Sequence, residues 1–409
     1  MSRRALVTAI GLLLATVMTT TAAFADGAVH LSLEEVIALA RRDAPAARVA
    51  RARVDEGRSL LVGARLRRTE NPVLETNVGP RWSGERSTDL DLSLLVPLEL
   101  GRARARRIDV AEAERAQLQA VADDTVRTFA GDAVAAYFRV LHAQRRVALA
   151  TERHALALEA EQIAKDREKA GDIAQFEVEL ARGEVARALS AVAAEQAALI
   201  GREAELRVVL GITRGQVVTV EGDLRGWDQL GIDGGEQVTR ADIEAARREV
   251  DVARAETGLA RTARLPDVAL RLSYAHEQDA DIGLVGVSVS LPLFNRGQGS
   301  LARAAARATR ARVEVEQREA VASTEIEGAR ASLQAFVDAL VPLEQAAIPA
   351  ATANSDRAFE SYRAGKIDLA TFLLIRREVI DTRMEHLDRL LDASLAAVEL
   401  WVALGSPEP

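Results

Sequence analysis

Arg102 to Ala164 contains no proline and a single glycine, Gly131, and is rich throughout in alanine, leucine, arginine and glutamate. A continuous helix over this stretch, rising ~1.5 Å per residue, would be on the order of 90–100 Å long. No compact domain encloses such a rod; it is the length needed to cross an aqueous compartment. The 409 residues alone suggest two or three ordinary domains, but aromatics at only 3% argue instead for long helices packed closely through small side chains.

The chain also repeats itself. At an offset of 194, Ala170, Gly171, Ile173, Leu180, Arg182, Glu184, Val185, Glu205, Leu206, Val208, Leu210 and Gly211 are identical to Ala364, Gly365, Ile367, Leu374, Arg376, Glu378, Val379, Glu399, Leu400, Val402, Leu404 and Gly405. Pro72 matches Pro266 in the same register, and Pro97 matches Pro292 with a shift of one. The reading is a tandem duplication, residues 26–215 and 238–409, joined by a Gly- and Asp-rich connector over 216–237. Each half has one grammar: a helix (Pro45 to Arg68, Arg240 to Arg264), two strands, a long helix, a turn at Ala170-Gly171 or Ala364-Gly365, and a last helix capped by Gly211 or Gly405. Val178, Val185, Val192, Leu199 and Leu206 recur every seven residues, as do Phe372, Val379, His386, Ala393 and Leu400, which is a coiled-coil seam.

Met1-Ser2-Arg3-Arg4, an apolar run from Ala5 to Met18 and Ala23-Phe24-Ala25 predict a secretory leader over residues 1–25. The run is too short for a spanning anchor. The mature chain is expected to start at Asp26 in a bacterial envelope. The absence of cysteine excludes disulfides, thiolate chemistry, cysteine metal sites and acylation as a lipoprotein. The net charge of −8 falls to −10 once Arg3 and Arg4 leave with the leader, so no basic excess points to nucleic acid.

Four segments alternate with period two: Val73 to Trp82, Thr88 to Val96, Val268 to Tyr274 and Ile282 to Leu291. Leu90, Leu92, Leu94 and Val96 oppose Asp89, Asp91 and Ser93; Val285, Val287, Val289 and Leu291 oppose Gly286, Ser288 and Ser290. Each is close to the ~9–11 residues a tilted strand needs to cross a bilayer, and Trp82, Tyr274 and Phe294 lie near strand ends, where aromatic girdles sit. Four strands cannot close a barrel, and an open edge in lipid is forbidden. Three chains give twelve strands, so the expected fold is mainly α with a membrane β-barrel portion completed in a trimer.

No chemistry competes with this reading. His30, His142, His154, His276 and His386 are scattered without ligand spacing, and Met384 is the one methionine outside the leader. No nucleophile elbow, phosphate loop or triad order is present, so neither an enzyme, a cofactor nor a resident metal is expected. Asp89, Asp91, Glu277, Asp279 and Asp281 near the outer hairpin ends are open to two readings, an anionic mouth favouring cations or hydrated loops. From a different class, a soluble periplasmic coiled-coil adaptor or scaffold fits the helices.

The duplicated grammar, "SLEEVIALARRDAP", "LPLFNRGQGSLARAAARA" and "SYRAGKIDLATFLLIRREVID" make the mature chain resemble the TolC family of outer-membrane channels. "LPLFNRGQG" is similar to the outer-membrane subunits of cobalt–zinc–cadmium type cation efflux systems. The resemblance implies a homotrimer in the outer membrane of a Gram-negative bacterium, with a twelve-stranded barrel in lipid and a helical tunnel in the periplasm. It implies a passive conduit served by a periplasmic adaptor and an inner-membrane pump of the resistance-nodulation-division type; metal cations are one expected cargo, with drugs and peptides left open. It places adaptor docking and gating at two helical tips, Ala170, Gly171, Asp172, Ile173 and Glu177 in one, Arg363, Ala364, Gly365, Lys366, Asp368 and Leu369 in the other. Lys169 is a further candidate for gating ion pairs, and Asp368→Ala is expected to raise leak conductance. Pro97, Gly101, Pro292, Phe294, Asn295 and Gly297 are expected at the barrel–helix junction.

Overall fold

The structure, a computed structural model, describes residues 29–67, 69–83, 85–99, 101–212, 218–232, 240–277 and 280–406. The leader, part of the connector and Asp279 lie outside the described residues. Strand β1 (Val29–Leu31) leads into α1 (Leu33–Arg42). A capping box starts this helix: Ser32 Oγ accepts from the Glu35 amide at 3.3 Å, and the Glu35 carboxylate accepts from the Ser32 amide at 2.8 Å. Then come α2 (Pro45–Ala64), β2 (Val73–Ser83), β3 (Glu85–Leu98), α3 (Ala103–Lys169) and α4 (Gln175–Leu210). Strand β4 (Val218–Val220) and a 3-10 turn (Gly226–Leu230) follow. The second half repeats the order with α5 (Ala241–Ala260) and its 3-10 extension Arg261–Arg264, β5 (Asp267–Glu277), β6 (Ala280–Ser290), α6 (Gln298–Pro342), α7 (Ile348–Arg363) and α8 (Leu369–Ala403).

At 67 residues, α3 is about 100 Å long. Its one glycine is a packing residue, since a Cβ on Gly131 would lie 2.3 Å from Val402 Cγ2 of α8. The matching rod of the second half is not one α-helix, as the repeat alone suggests. A π-turn, Leu343–Ala347, separates α6 from α7. Pro342 and Pro349 flank it; each lacks the N–H that an unbroken ladder needs, and a wider turn absorbs the mismatch.

The four long strands form one antiparallel sheet in the order β2-β3-β5-β6. Its register aligns Leu74, Leu94, Leu272 and Val285 in one row, and Thr76, Leu92, Tyr274 and Gly283 in the next. Val96, Leu270 and Val287 continue the same face, while Glu75, Asn77, Asp91, Ser93, Arg271 and Ser273 alternate onto the other. Leu90 to Leu98 spans about 26 Å along β3 at ~3.3 Å per residue, close to the height of a membrane barrel's apolar band. Strands β2 and β6 each have one unpaired edge among the described residues. No described helix is long and apolar enough to cross a membrane.

The densest core lies at mid-height. Val36, Ile37 and Ala40 of α1, Val134, Phe138 and Leu141 of α3, and Leu206 of α4 pack with Leu400 and Trp401 of α8. The connector contributes too: β4 pairs in parallel with β1, and Trp227 and Leu230 are buried. Part of what reads as a polar linker is therefore core. Three arginines grip the last turn of α8 and the residues just past it. Arg127 donates to the Val402 carbonyl at 2.6 Å, Arg240 to that of Ala403 at 3.5 Å and Arg41 to that of Ser406 at 2.7 Å. Cations there complement the negative helix end. Arg240 also holds Asp242 with two bonds of 3.0 and 2.9 Å and Glu325 with one of 2.6 Å.

Candidate functional sites at the helical tips and the sheet–helix junction

Both tips are built by one device. Helix α3 ends on Ala170, and Gly171 takes φ +80°; α7 ends on Ala364, and Gly365 takes φ +70°. The Asp172 amide donates back to Arg167 O at 2.9 Å and the Gly171 amide to Glu168 O at 2.9 Å; Lys366 and Gly365 repeat the pattern onto Ser361 at 2.8 Å and Tyr362 at 3.0 Å. This is the glycine-dependent end that satisfies the last carbonyls and reverses the chain. It explains why Ala-Gly stands at the same place in each half.

The two tips touch. Ala160, Ala164, Val178 and Ala181 from the first hairpin pack with Ala358, Tyr362, Leu369 and Phe372 from the second, and Ile173 and Ile367 lie against this cluster. Tyr362 stacks on Phe372 with centroids 4.8 Å apart, and Arg167 lies 5.3 Å over the Tyr362 ring. Burial raises the Tyr362 phenol pKa, so the ring stays neutral. The charged candidates behave differently. Asp368 caps α8, its carboxylate accepting from the Thr371 amide at 2.8 Å, and the Thr371 hydrogen bonds hold its pKa below the ordinary aspartate value. Lys169 lies 3.8 Å from Asp166 on its own helix. Among the described residues of one chain, no ion pair joins any two of Lys169, Asp172, Glu177, Arg363, Lys366 and Asp368.

At the other end of the rods, the joint between β6 and α6 is tightly folded. Gly297 has φ +72°, and a Cβ there would lie 2.7 Å from Ala263 Cβ. Asn295 Oδ1 accepts from the Gly297 amide at 3.1 Å, and Gln298 donates to Phe294 O at 3.0 Å. Pro292 follows the end of β6, and Phe294 is 92% exposed. Pro97 sits differently from Pro292: it is inside β3, opposite Ala269. It lies beyond the end of β2, where β3 has a neighbour on one side only and a missing N–H is tolerated. Gly101 takes φ +82° just before α3. Glu99 and Arg107 pair across this joint, with one bond of 3.0 Å.

The outer end of the sheet carries two polar clusters on opposite faces. Arg81 bridges Asp89 and Glu277 at 2.7 Å each on the polar face. Asp281 accepts from Tyr274 at 2.8 Å and faces His276 Nδ1 at 2.7 Å on the apolar one. Asp91 is exposed on the polar face. Three of the other four histidines pair singly: His30 with Glu221, His142 with Asp388 and His386 with Glu344 of the π-turn. No group of three metal-ligating side chains comes together among the described residues.

Paired rods of this length, rising from a sheet with one apolar and one polar face, define the subunit of a membrane channel. The sequence matches the Outer membrane efflux protein family over residues 36–212 and 236–406, and the chain belongs to that family. It is similar to the cobalt-zinc-cadmium resistance protein CzcC of Cupriavidus metallidurans, 27% identical over 350 residues that cover 82% of this chain and 81% of that protein. In fold it is similar to CusC (TM-score 0.72, 21% identity, 91% of this chain and 92% of that one). It is also similar to VceC of Vibrio cholerae (TM-score 0.69, 19% identity, 92% and 97%). The protein is thus an outer-membrane efflux channel of the tripartite class, with its helices forming a tunnel in the periplasm. Its family is a transport component, and two matched segments accord with the internal duplication.

Proposed function

We propose that three copies of this chain, secreted with removal of residues 1–25, close a twelve-stranded barrel through the free edges of β2 and β6. The repeats are residues 26–215 and 238–409, with 216–237 as connector. One observation carries the reading: a four-stranded sheet with an apolar face and two unpaired edges is stable in lipid only when other copies complete it. The duct is passive. Its tips, at Ala170, Gly171, Asp172, Ile173 and Glu177 and at Arg363, Ala364, Gly365, Lys366, Asp368 and Leu369, meet a periplasmic adaptor. An inner-membrane pump of the resistance-nodulation-division type supplies the energy. Similarity to a protein named for cobalt, zinc and cadmium resistance supports metal cations as cargo. Gating ion pairs among these tip residues join neighbouring chains, since the described residues of one chain make none between them.

Reconstitution tests this. The purified protein is expected to need detergent for extraction, to run as an oligomer in SDS until heated, and to conduct in planar bilayers. Release from membranes by alkali as a monomer without conductance would refute it in favour of a soluble scaffold. Asp368→Asn keeps a capping oxygen and removes the charge; a raised leak in that variant assigns Asp368 to the gate, and an unchanged closed state assigns it to the cap alone.

A further inference from the structure

The helices just below the sheet carry different charge on their two sides. On one side, Glu256 of α5 and Arg307 of α6 line a cavity of about 750 Å³ with Pro97 and Asp267, which alternate onto the polar face of the sheet. There the arginines are compensated: Arg307 holds Glu249 at 2.9 Å and also Glu256, and Arg107 holds Glu99. A second cleft, of about 850 Å³, runs between α3, α5 and α6. Arg254, which lines it, stands two residues from Glu256, about 200° round α5. This cleft therefore opens on the opposite side, beneath the apolar face of the sheet.

Arg102, Arg106, Arg254, Arg261 and Arg312 line the second cleft, and no acidic residue does. Asp109 offsets Arg106 at 3.1 Å, and Asp251 offsets Arg254 at 3.3 Å. Arg102, Arg261 and Arg312 make no ion pair among the described residues. The carboxylates nearest to Arg102 and Arg261 in sequence, Glu99 and Glu256, are those taken by Arg107 and Arg307 on the other side. Glu316 stands one turn on from Arg312, yet the two are not paired. In a chain of net charge −8, three uncompensated arginines around one concavity repel one another, and an anion relieves that repulsion.

Height decides which anion. Arg102 follows β3 by four residues, and Arg261 precedes β5 by six, so the cleft begins where the sheet ends. Val268 and Val289 pair on the apolar face at that edge, and Leu265, which lines the cleft, is 51% exposed. The headgroup layer extends ~5–7 Å beyond the hydrocarbon on each side of a bilayer. Arg254 to Arg261 covers about 10 Å of α5, enough to take in that layer. A free phosphate would meet the charge and leave Leu265 and the valines bare; a phospholipid answers both, and the arginine fork matches phosphate oxygens.

We propose that this cleft holds an anionic phospholipid of the inner leaflet, its phosphate between Arg102 and Arg261, its headgroup reaching down to Arg312 and its acyl chains on the apolar face of the sheet. The inference rests on the reading above that this face meets lipid. It adds a lipid-specific site on the periplasmic side of the membrane and the residues that select the headgroup.

The full-length channel, purified in detergent, is titrated with phosphatidylglycerol, phosphatidylcholine or inorganic phosphate, and bound molecules are counted by native mass spectrometry. Phosphatidylglycerol is expected to bind more tightly than the zwitterionic phosphatidylcholine. At about fivefold for each arginine, Arg312→Gln weakens phosphatidylglycerol about fivefold, and Arg102→Gln, Arg261→Gln and Arg312→Gln together about 100-fold. Arg182→Gln removes an arginine of α4 already paired with Glu179 and leaves binding within about twofold. Equal affinity for the two lipids overturns the proposal, as does unchanged phosphatidylglycerol binding in the triple variant. Displacement of the lipid by an equal concentration of inorganic phosphate assigns the cleft to a free anion and overturns it too. The heat-resistant oligomer is scored for every variant, and where the triple variant does not assemble the three single substitutions decide. Conductance of the unsubstituted protein is read separately, so failure of the barrel is distinguishable from failure of the site.

Discussion

The grip on the end of α8 makes a quantitative prediction. Arg240 and Asp242 have side chains only 8% and 5% exposed, and they share two hydrogen bonds. Arg240→Met removes those bonds, the contact to Glu325 and the donor to the Ala403 carbonyl. It leaves the Asp242 carboxylate buried, with Arg318 no nearer than 3.7 Å. Deleting one side of a buried pair costs about 3–5 kcal/mol, because the orphaned charge keeps its desolvation penalty. At 1.4 kcal/mol per factor of ten, amide exchange over 398–404 will accelerate by about 150- to 5,000-fold where it proceeds through local opening. Hydrogen exchange followed by mass spectrometry on the detergent-solubilised protein reads this directly. The pH dependence has a definite sign. Burial alone would raise the Asp242 pKa, but the Arg240 bonds and charge outweigh it and hold the carboxyl below its reference value of 3.8. Its contribution is therefore present above that reference and lost as pH falls through the lower native value. In Arg240→Met the loss will move to higher pH. Replacing both residues, as Arg240→Met with Asp242→Leu, will recover most of the protection. Exchange within about fivefold of the parent in the single variant would refute the claim that this pair locks α8.

Leu272 and Ser273 sit on opposite faces at the middle of β5, so Leu272→Arg will cost membrane assembly about 2–4 kcal/mol while Ser273→Arg is tolerated; equal yields of heat-resistant oligomer would show the faces to be misassigned. Tyr137 donates to Glu221 O at 2.6 Å, and burial, with Asp223 adding to it, pushes its phenol from 10.0 to about 12. Its stabilising effect is complete below pH ~10 and lost as pH rises through ~12, so Tyr137→Phe will lower stability at neutral pH and flatten the alkaline part of the curve in thermal melts.

Much of this architecture was readable as one-dimensional pattern. The absence of proline from Arg102 to Ala164 allowed one rod, and the structure extends it to Lys169. The seven-residue series from Val178 to Leu206 and from Phe372 to Leu400 falls on buried or half-buried positions throughout. Ser32 and Glu35 carried a capping-box signature for α1, a helix the repeat grammar passed over. Other features had no such signal. Period two marked the strands, yet their ends moved, β5 running on to Glu277 and β6 starting at Ala280. Hairpin register, which sets strand ends, depends on the partner strand.

Sequence by itself determined the elements, their order, their duplication and which strand faces are apolar, because each follows from near-neighbour chemistry repeated at a fixed period. Only the tertiary structure decided where the long-range arginines reach. Arg41, Arg127 and Arg240 converge on carbonyls at and just past the end of the chain's last helix from 365, 275 and 163 positions away. Likewise Trp227, in what reads as a polar linker, becomes core only because α1, α3 and α8 converge on it. Burial and ion pairing are set by what the rest of the chain brings near, and that distance is not written in the spacing of residues along it.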